Sequence, residues 1–434
     1  MLRPLFGWMT GILAAALLAA SLAGCGSSSS SSSTSTIPPC GGACLDPNRF
    51  PPAVEQDLQA KTPVDPAIVT ADNTFGLSLL DTLIQEGASS TGNIAIAPLS
   101  VSTALQITYN GAAGTTQQAM AQALQLGALT TQQLNDDNAA LEAALINPDP
   151  QVAITIANSL WTNPNITVAP AFIQTNQTYY AATLGSLVNA PDDVNAWVSA
   201  NTNGLITKIL PPGDYSTDVA VIANVVYFKG QWQYPFQSGL TTAQPFTLGD
   251  GTQTTVQMMH QPEIFPYLQG SGFQAIRLPY GQGRLSMLVV LPTAGTDINT
   301  FVSGITATAI DSWEGQLQNA NGNVALPRFS TNFGASLKDA LTALGMGIAF
   351  TPNDADFSGI APLTYISRVA HATVVEVDES GTVAAGATAV TIGTTVVEAP
   401  QFTMTMDHPF FYAIRDDQTG ELLFVGVLAN PNAG

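Results

Sequence analysis

From about Asp72 to Leu428 the hydrophobic periodicity of the chain never lapses into a linker or a repeat. That continuity constrains the fold more than any single motif, because a periodic run of such length has to close around one large core. Residues 72–434 are therefore read as one domain. Phe75, Leu79, Leu83 and Ile84 are spaced for one helix face, and Pro98 to Tyr109 and Thr116 to Leu126 read as further helices. Strand patterns follow at Val152 to Leu160, Val219 to Phe228, Phe273 to Leu278 and Leu285 to Leu291. A helix over Leu337 to Leu344 precedes closing strands at Phe410 to Ile414 and Leu422 to Val427. Helices and strands mix without regular βαβ alternation, so the fold class is α+β.

The first residues belong to targeting rather than to the fold. Arg3 is the only charge ahead of an apolar run from Gly11 to Ala20, and Leu22-Ala23-Gly24-Cys25 follows. That ending resembles a bacterial lipobox, which implies removal of residues 1–24 and lipidation of the Cys25 thiol. The mature chain would then hang from a membrane by acyl chains rather than span it. Gly26, where Asp would signal retention, favours the outer membrane of a Gram-negative cell or its surface, with shedding as the alternative. Ser27 to Ser35 is almost pure serine and is read as a flexible tether within a 25–71 extension. Cys40 and Cys44 remain as an even pair that could close a small disulfide loop, bind a metal or stay reduced.

Charge excludes whole classes of partner. With 11 Lys plus Arg against 31 Asp plus Glu, the formal charge of −20 argues against nucleic acid, heparin-like polyanions and anionic membrane surfaces, leaving the lipid anchor as the membrane contact. No nucleophile elbow, paired zinc histidines, phosphate loop or dinucleotide fingerprint is present, and His260, His371 and His408 are the only histidines. None sits at metal-ligand spacing from a cysteine or another histidine, so neither a cofactor nor a catalytic role is assigned.

One stretch stands out. Ser380 to Val397 contains no charged residue and no proline, between Glu379 and Glu398. Small residues (Gly381, Ala384, Ala385, Gly386, Ala387) come first, β-formers (Val390, Ile392, Val396, Val397) follow, and a strand-like run from Thr373 to Val377 leads in. Such a segment can be either loop or strand.

The motifs then converge. Asn93-Ile94-Ala95-Ile96-Ala97-Pro98-Leu99-Ser100, Asn158-Ser159-Leu160-Trp161 and Asn224-Val225-Val226-Tyr227-Phe228-Lys229-Gly230-Gln231-Trp232 occur in order. So do Leu278-Pro279-Tyr280, Leu326-Pro327-Arg328-Phe329, Ala355-Asp356-Phe357-Ser358-Gly359-Ile360 and His408-Pro409-Phe410-Phe411. With these the chain resembles a serpin over nearly all of its length after the tether. The resemblance implies three β-sheets with surrounding helices and an exposed reactive loop near the C-terminus. It also implies a monomer that inhibits serine proteases by loop cleavage, insertion of the loop into the main sheet and trapping of the covalent acyl complex. The rival within the family is a non-inhibitory carrier or folding factor.

By that resemblance Glu379, Ser380, Gly381, Thr382, Val383, Ala384, Ala385, Gly386, Ala387 and Thr388 form the hinge. Strand alternation places Thr382, Ala384, Gly386, Thr388, Val390 and Ile392 on the inward face after insertion. Counting from Glu379 sets the scissile bond at Thr395-Val396, and counting back from His408 allows Val397 or Glu398. Small and β-branched residues there point to elastase-like or subtilisin-like proteases rather than trypsin-like ones. Ser100, Asn224 and His371 match the family's shutter, and Trp232 its breach. Ala97 departs from the serine usual before Pro98, and Val383 from a common Glu.

Overall fold

The computed structural model describes residues 63–146, 148–382 and 399–433. Asp65 caps the first helix, α1 (Pro66–Gln85), through its side chain on the Ala67 N–H, with Pro66 in the first turn. The helix therefore starts six residues ahead of the Asp72 boundary expected from periodicity, because cap and proline rather than apolar spacing set its end. It is followed by α2 (Pro98–Tyr109), α3 (Gly114–Ala123), α4 (Thr131–Leu145), α5 (Pro170–Tyr180) and α6 (Asp192–Asn201). Thr130 and Gln133 form a reciprocal capping box on α4. Later come α7 (Ile298–Ser303), α8 (Ala307–Gln316) and α9 (Lys338–Leu341). The helix expected to reach Leu344 keeps α geometry only to Leu341 and widens into a π turn over Thr342–Met346, where Gly345 takes φ +103°.

Two hydrogen-bonded sheets organise the strands. Strand β1 is Ile94–Ile96, β2 Val152–Thr162, β3 Thr183–Ser186, β4 Ala220–Gln231 and β5 Thr242–Thr247. Next are β6 (Gln253–Gly270), β7 (Phe273–Tyr280), β8 (Leu285–Pro292), β9 (Gln318–Pro327) and β10 (Phe329–Ser336). The last are β11 (Ile366–Asp378), β12 (Gly381–Thr382), β13 (Phe402–Thr405), β14 (Phe410–Asp416) and β15 (Leu422–Leu428). One sheet has six strands in the order β10-β11-β12-β4-β2-β3. The other has nine, in the order β1-β15-β14-β8-β7-β6-β9-β13 with β5 on β6. The 18-residue β6 pairs with β5 and β9 over most of its length and with β7 only from Tyr267 to Gly270. It thus links β5 and β9 to β7 and β8 in one continuous hydrogen-bonded sheet, so strands expected in three sheets form two.

The core lies between the sheets. All twelve residues of α2 are buried, since it packs on β2 and β4 of one sheet and on β15 of the other. A helix covered on every side carries no amphipathic stripe. Strands β8, β14 and β15 are likewise buried along their whole length, and their sequences are apolar apart from Ser286 in β8, Arg415 and Asp416 at the end of β14 and Gly426 in β15.

Candidate functional site

The six-stranded sheet holds an interrupted seam. Strands β11 and β4 pair in parallel from Ile366 opposite Ala220 to Thr373 opposite Val226, and then part. Into the gap the chain folds back on itself, so that β12 lies antiparallel to both neighbours: Thr382 faces Val377 on one side and Gly230 on the other. Asp378 makes the reversal. Its Oδ1 accepts the N–H groups of Ser380 (2.7 Å) and Gly381 (3.2 Å), closing the turn with a side chain. Gly381 has φ +150°, and a Cβ there would lie 2.0 Å from the Gly230 carbonyl oxygen, so glycine alone fits.

Aromatic rings wall the entrance of the seam. Trp232 stacks on Tyr280 with centroids 4.4 Å apart and planes 10° from parallel, while Phe228 and Phe236 meet the pair edge-on. Trp232 also fixes the turn, its backbone N–H donating to the Ser380 carbonyl (2.9 Å) and its indole N–H to that of Asp378 (2.9 Å). Thr382 is fully buried, and its hydroxyl bonds the Tyr280 hydroxyl at 2.7 Å. Burial pushes the Tyr280 phenol up, so it remains a neutral partner.

Glu379 is held from the side. Its carboxylate accepts the Arg328 Nε at 2.7 Å, a second Arg328 nitrogen, and the Thr241 hydroxyl. Burial acts to raise the Glu379 pKa, but the bonds from Arg328 and Thr241 outweigh it and the carboxyl lies below its usual range. The Phe236 N–H donates to the Glu379 carbonyl, which ties the same residue by its backbone.

Halfway down the seam lies a buried polar knot. His371 on β11 and Asn224 on β4 are register partners, and each is 1 % exposed. The Ala97 N–H donates to His371 Nε2 (3.3 Å), so Nδ1 carries the proton and donates to Asn224 Oδ1 at 2.9 Å. The Asn224 amide donates in turn to the Ser100 carbonyl (2.8 Å), the Ser100 hydroxyl and Asn158 Oδ1. Burial pulls the His371 pKa down to about 3, which keeps the ring neutral. Ala97 caps α2 without a side-chain bond, so its departure from serine removes one cap while the backbone contact to His371 remains.

Ser100, Asn224 and His371 are thus in direct contact, and Trp232, Glu379, Ser380, Gly381 and Thr382 form a second group at the seam's entrance. Val383, Ala384, Ala385, Gly386, Ala387 and Thr388 lie outside the described residues. So do Thr395, Val396, Val397 and Glu398, and Cys25, Cys40 and Cys44. Sequence reading gave no role to Tyr280, Arg328, Thr241, Asn158 or Asp378. Tyr280 and Arg328 stood inside quoted motifs, but Thr241 and Asp378 carried no local signal. Among the described residues no three His, Cys, Asp or Glu side chains converge as a metal site.

Known proteins with this geometry form a consistent set. The family model described as Serpin (serine protease inhibitor) matches residues 70–431. A leukocyte elastase inhibitor of Xenopus laevis is 32% identical over 360 residues, covering 79% of this chain and 94% of its own length. An uncharacterized serpin-like protein of Methanosarcina acetivorans is 31% identical over 376 residues, covering 84% of this chain and 86% of its own. Among solved structures, the thermophilic serpin tengpin in its native state superposes with TM-score 0.79 at 28% identity, covering 85% of this chain and 96% of its own. Thyroxine-binding globulin in complex with thyroxine, at 23% identity and TM-score 0.75 over 84% of this chain and 99% of its own, shares the fold.

Proposed function

The chain belongs to the serpin family, and on that premise we propose that it inhibits serine proteases irreversibly by inserting its own cleaved loop into the seam between β4 and β11. The protease serine attacks the Thr395 carbonyl, the Thr395-Val396 bond breaks, and the new amino group of Val396 leaves with the C-terminal piece. The loop carbonyl is then an ester of the protease serine. Water would release it unless insertion moves the protease first.

The observation that carries this reading is the place of Gly381–Thr382, already paired with both seam strands. Continuing the two observed registers moves one residue back on each neighbour for every residue forward in the loop. Ala384 then meets Val375 and Phe228, and Thr388 arrives between His371 and Asn224. Insertion breaks one parallel ladder between β11 and β4 and makes two antiparallel ones. A net gain of about a dozen backbone hydrogen bonds at ~1 kcal/mol each gives on the order of 10 kcal/mol for displacing the cargo. The lack of charge from Ser380 to Val397 supports the same path, because an arriving charge would be buried without a partner.

Small and β-branched residues at the cut favour an elastase-like or subtilisin-like target. The lipobox ending at Cys25 and the serine tether favour a lipid-anchored protein that presents the loop at an outer membrane or cell surface. Incubation with such a protease should give an adduct that survives denaturing electrophoresis. Cleavage with continued turnover and no adduct would overturn inhibition in favour of a carrier or folding factor.

A further inference from the structure

On the far side of α2 from the seam, three carboxylic acids are fully buried: Asp72 on α1, and Asp416 and Glu421 at the turn joining β14 to β15. One of them is neutralised. Asp416 accepts Arg284 Nε at 2.8 Å and Nη2 at 3.1 Å, with the Thr419 hydroxyl at 2.8 Å. The other two have no cation, since among the described residues neither Asp72 nor Glu421 takes part in an ion pair. Asp72 Oδ1 accepts Ser102 (2.5 Å) and Gln106 (3.2 Å) from α2, but Asp72 Oδ2 and both carboxyl oxygens of Glu421 are buried without a hydrogen-bond partner.

Neither acid can turn away to water. Asn73, next to Asp72, donates to the Gly420 carbonyl (2.9 Å) and accepts the Leu422 N–H (2.9 Å), so one amide clamps the backbone on both sides of Glu421. The Asp416 N–H donates to the Glu421 carbonyl at 3.0 Å. The surrounding charges leave the pair as it is. Arg284 is committed to Asp416 and the Ala144 carbonyl, and Arg277 and Arg415 face Glu314 and Asp417. The pKa of Asp137 on α4 is raised by burial first and then by the charges of Asp65 and Asp136, and the neutral phenol of Tyr180 on α5 bonds Asn135. Ser102, Gln106 and Asn138 supply only neutral contacts.

We infer that Asp72 and Glu421 hold one proton between them, which makes the join of α1 to the β14–β15 turn a proton-operated fastening, firm while one acid is neutral and weakened when both ionise. Two isolated carboxylates locked in a dry space cannot both carry charge cheaply. Burial, opposed by the Ser102 and Gln106 bonds, pushes Asp72 up to about 7, and burial with the charges of Asp72 and Asp416 pushes Glu421 well above its usual range. Acids with raised folded pKa values contribute stability at low pH that is lost as pH rises through those values. Measured against unfolded values of about 4, the loss starts at about pH 4 and is complete above the folded values, so it runs across the range in which His371 has the opposite slope.

The test is the thermal midpoint of the full chain at one scan rate between about pH 5 and about pH 7, for the wild type and for Glu421→Gln and Asp72→Asn. Across this window the wild-type midpoint should fall relative to that of each amide variant, which keeps the neutral donor and has no proton to lose. Wild-type and variant curves that run parallel would overturn the shared proton. So would failure of both variants to fold at neutral pH, because an amide reproduces the shape and the donor of the neutral acid.

Discussion

His371 is one ring on which two strands and a helix converge. Its Nε2 accepts from Ala97 and its Nδ1 donates to Asn224, so a second proton would break the first bond and leave a buried charge. The folded pKa, pulled by burial to about 3, lies below the unfolded value of about 6.5. The unfolded chain then takes the proton first, and stability present above pH ~6.5 is lost by about 1.4 kcal/mol per unit as pH falls toward the folded value. Denaturant midpoints at about pH 7 and about pH 5 should show this loss as the difference between the wild type and His371→Gln, the wild type losing more than the variant on acidification. At the entrance, Tyr280→Phe removes the one side-chain bond to buried Thr382 and should cost about 1–2 kcal/mol in the same assay. Ser100, Asn224 and His371 could be named from the sequence through the family resemblance. Their mutual bonds could not, because Asn224 and His371 stand 147 positions apart and meet only in the folded chain. The Asp72 and Glu421 pair was less legible still: neither acid stands in a motif, and their proximity depends on Asn73 reaching across 349 residues to the Leu422 N–H.

The element that matters most is two residues long. Strand β12 is defined by its neighbours rather than by its own sequence, since two residues, one of them glycine, are too few to specify a strand and are held by β4, β11 and the Asp378 turn. Longer elements were readable from periodicity, β4 among them, and of β11 the run from Thr373 to Val377. The fusion of two expected sheets through β6 was not, because a strand's partners are set by the tertiary fold and leave no mark on its alternation. Thr382 points inward, so in an inserted strand alternation would turn residue 383 outward. Thr382→Arg should therefore convert an inhibitor into a substrate, while Val383→Arg should leave most adduct formation intact. Equal damage from both would show that the loop does not enter in this register. Gly381→Ala forces a methyl into the Gly230 carbonyl and should expel β12, seen as increased amide exchange at Thr382 and Gly230.

At the scale of the molecule, the native arrangement leaves a seam closed by one parallel ladder where two antiparallel ladders could form. The family match begins at residue 70, well after Cys25, so under the proposed anchor Cys25→Ser should release the protein from membranes or leave it unprocessed while inhibition is unchanged; membrane retention in the variant would remove the anchor. The most direct measurement of the central claim is denaturing electrophoresis of the protein mixed with an elastase-like serine protease, with mass spectrometry of the released C-terminal fragment. The mechanism predicts a band at the summed mass of protease and inhibitor and a fragment beginning at Val396, or up to two residues later. Full conversion to cleaved protein with an active protease and no such band would contradict it.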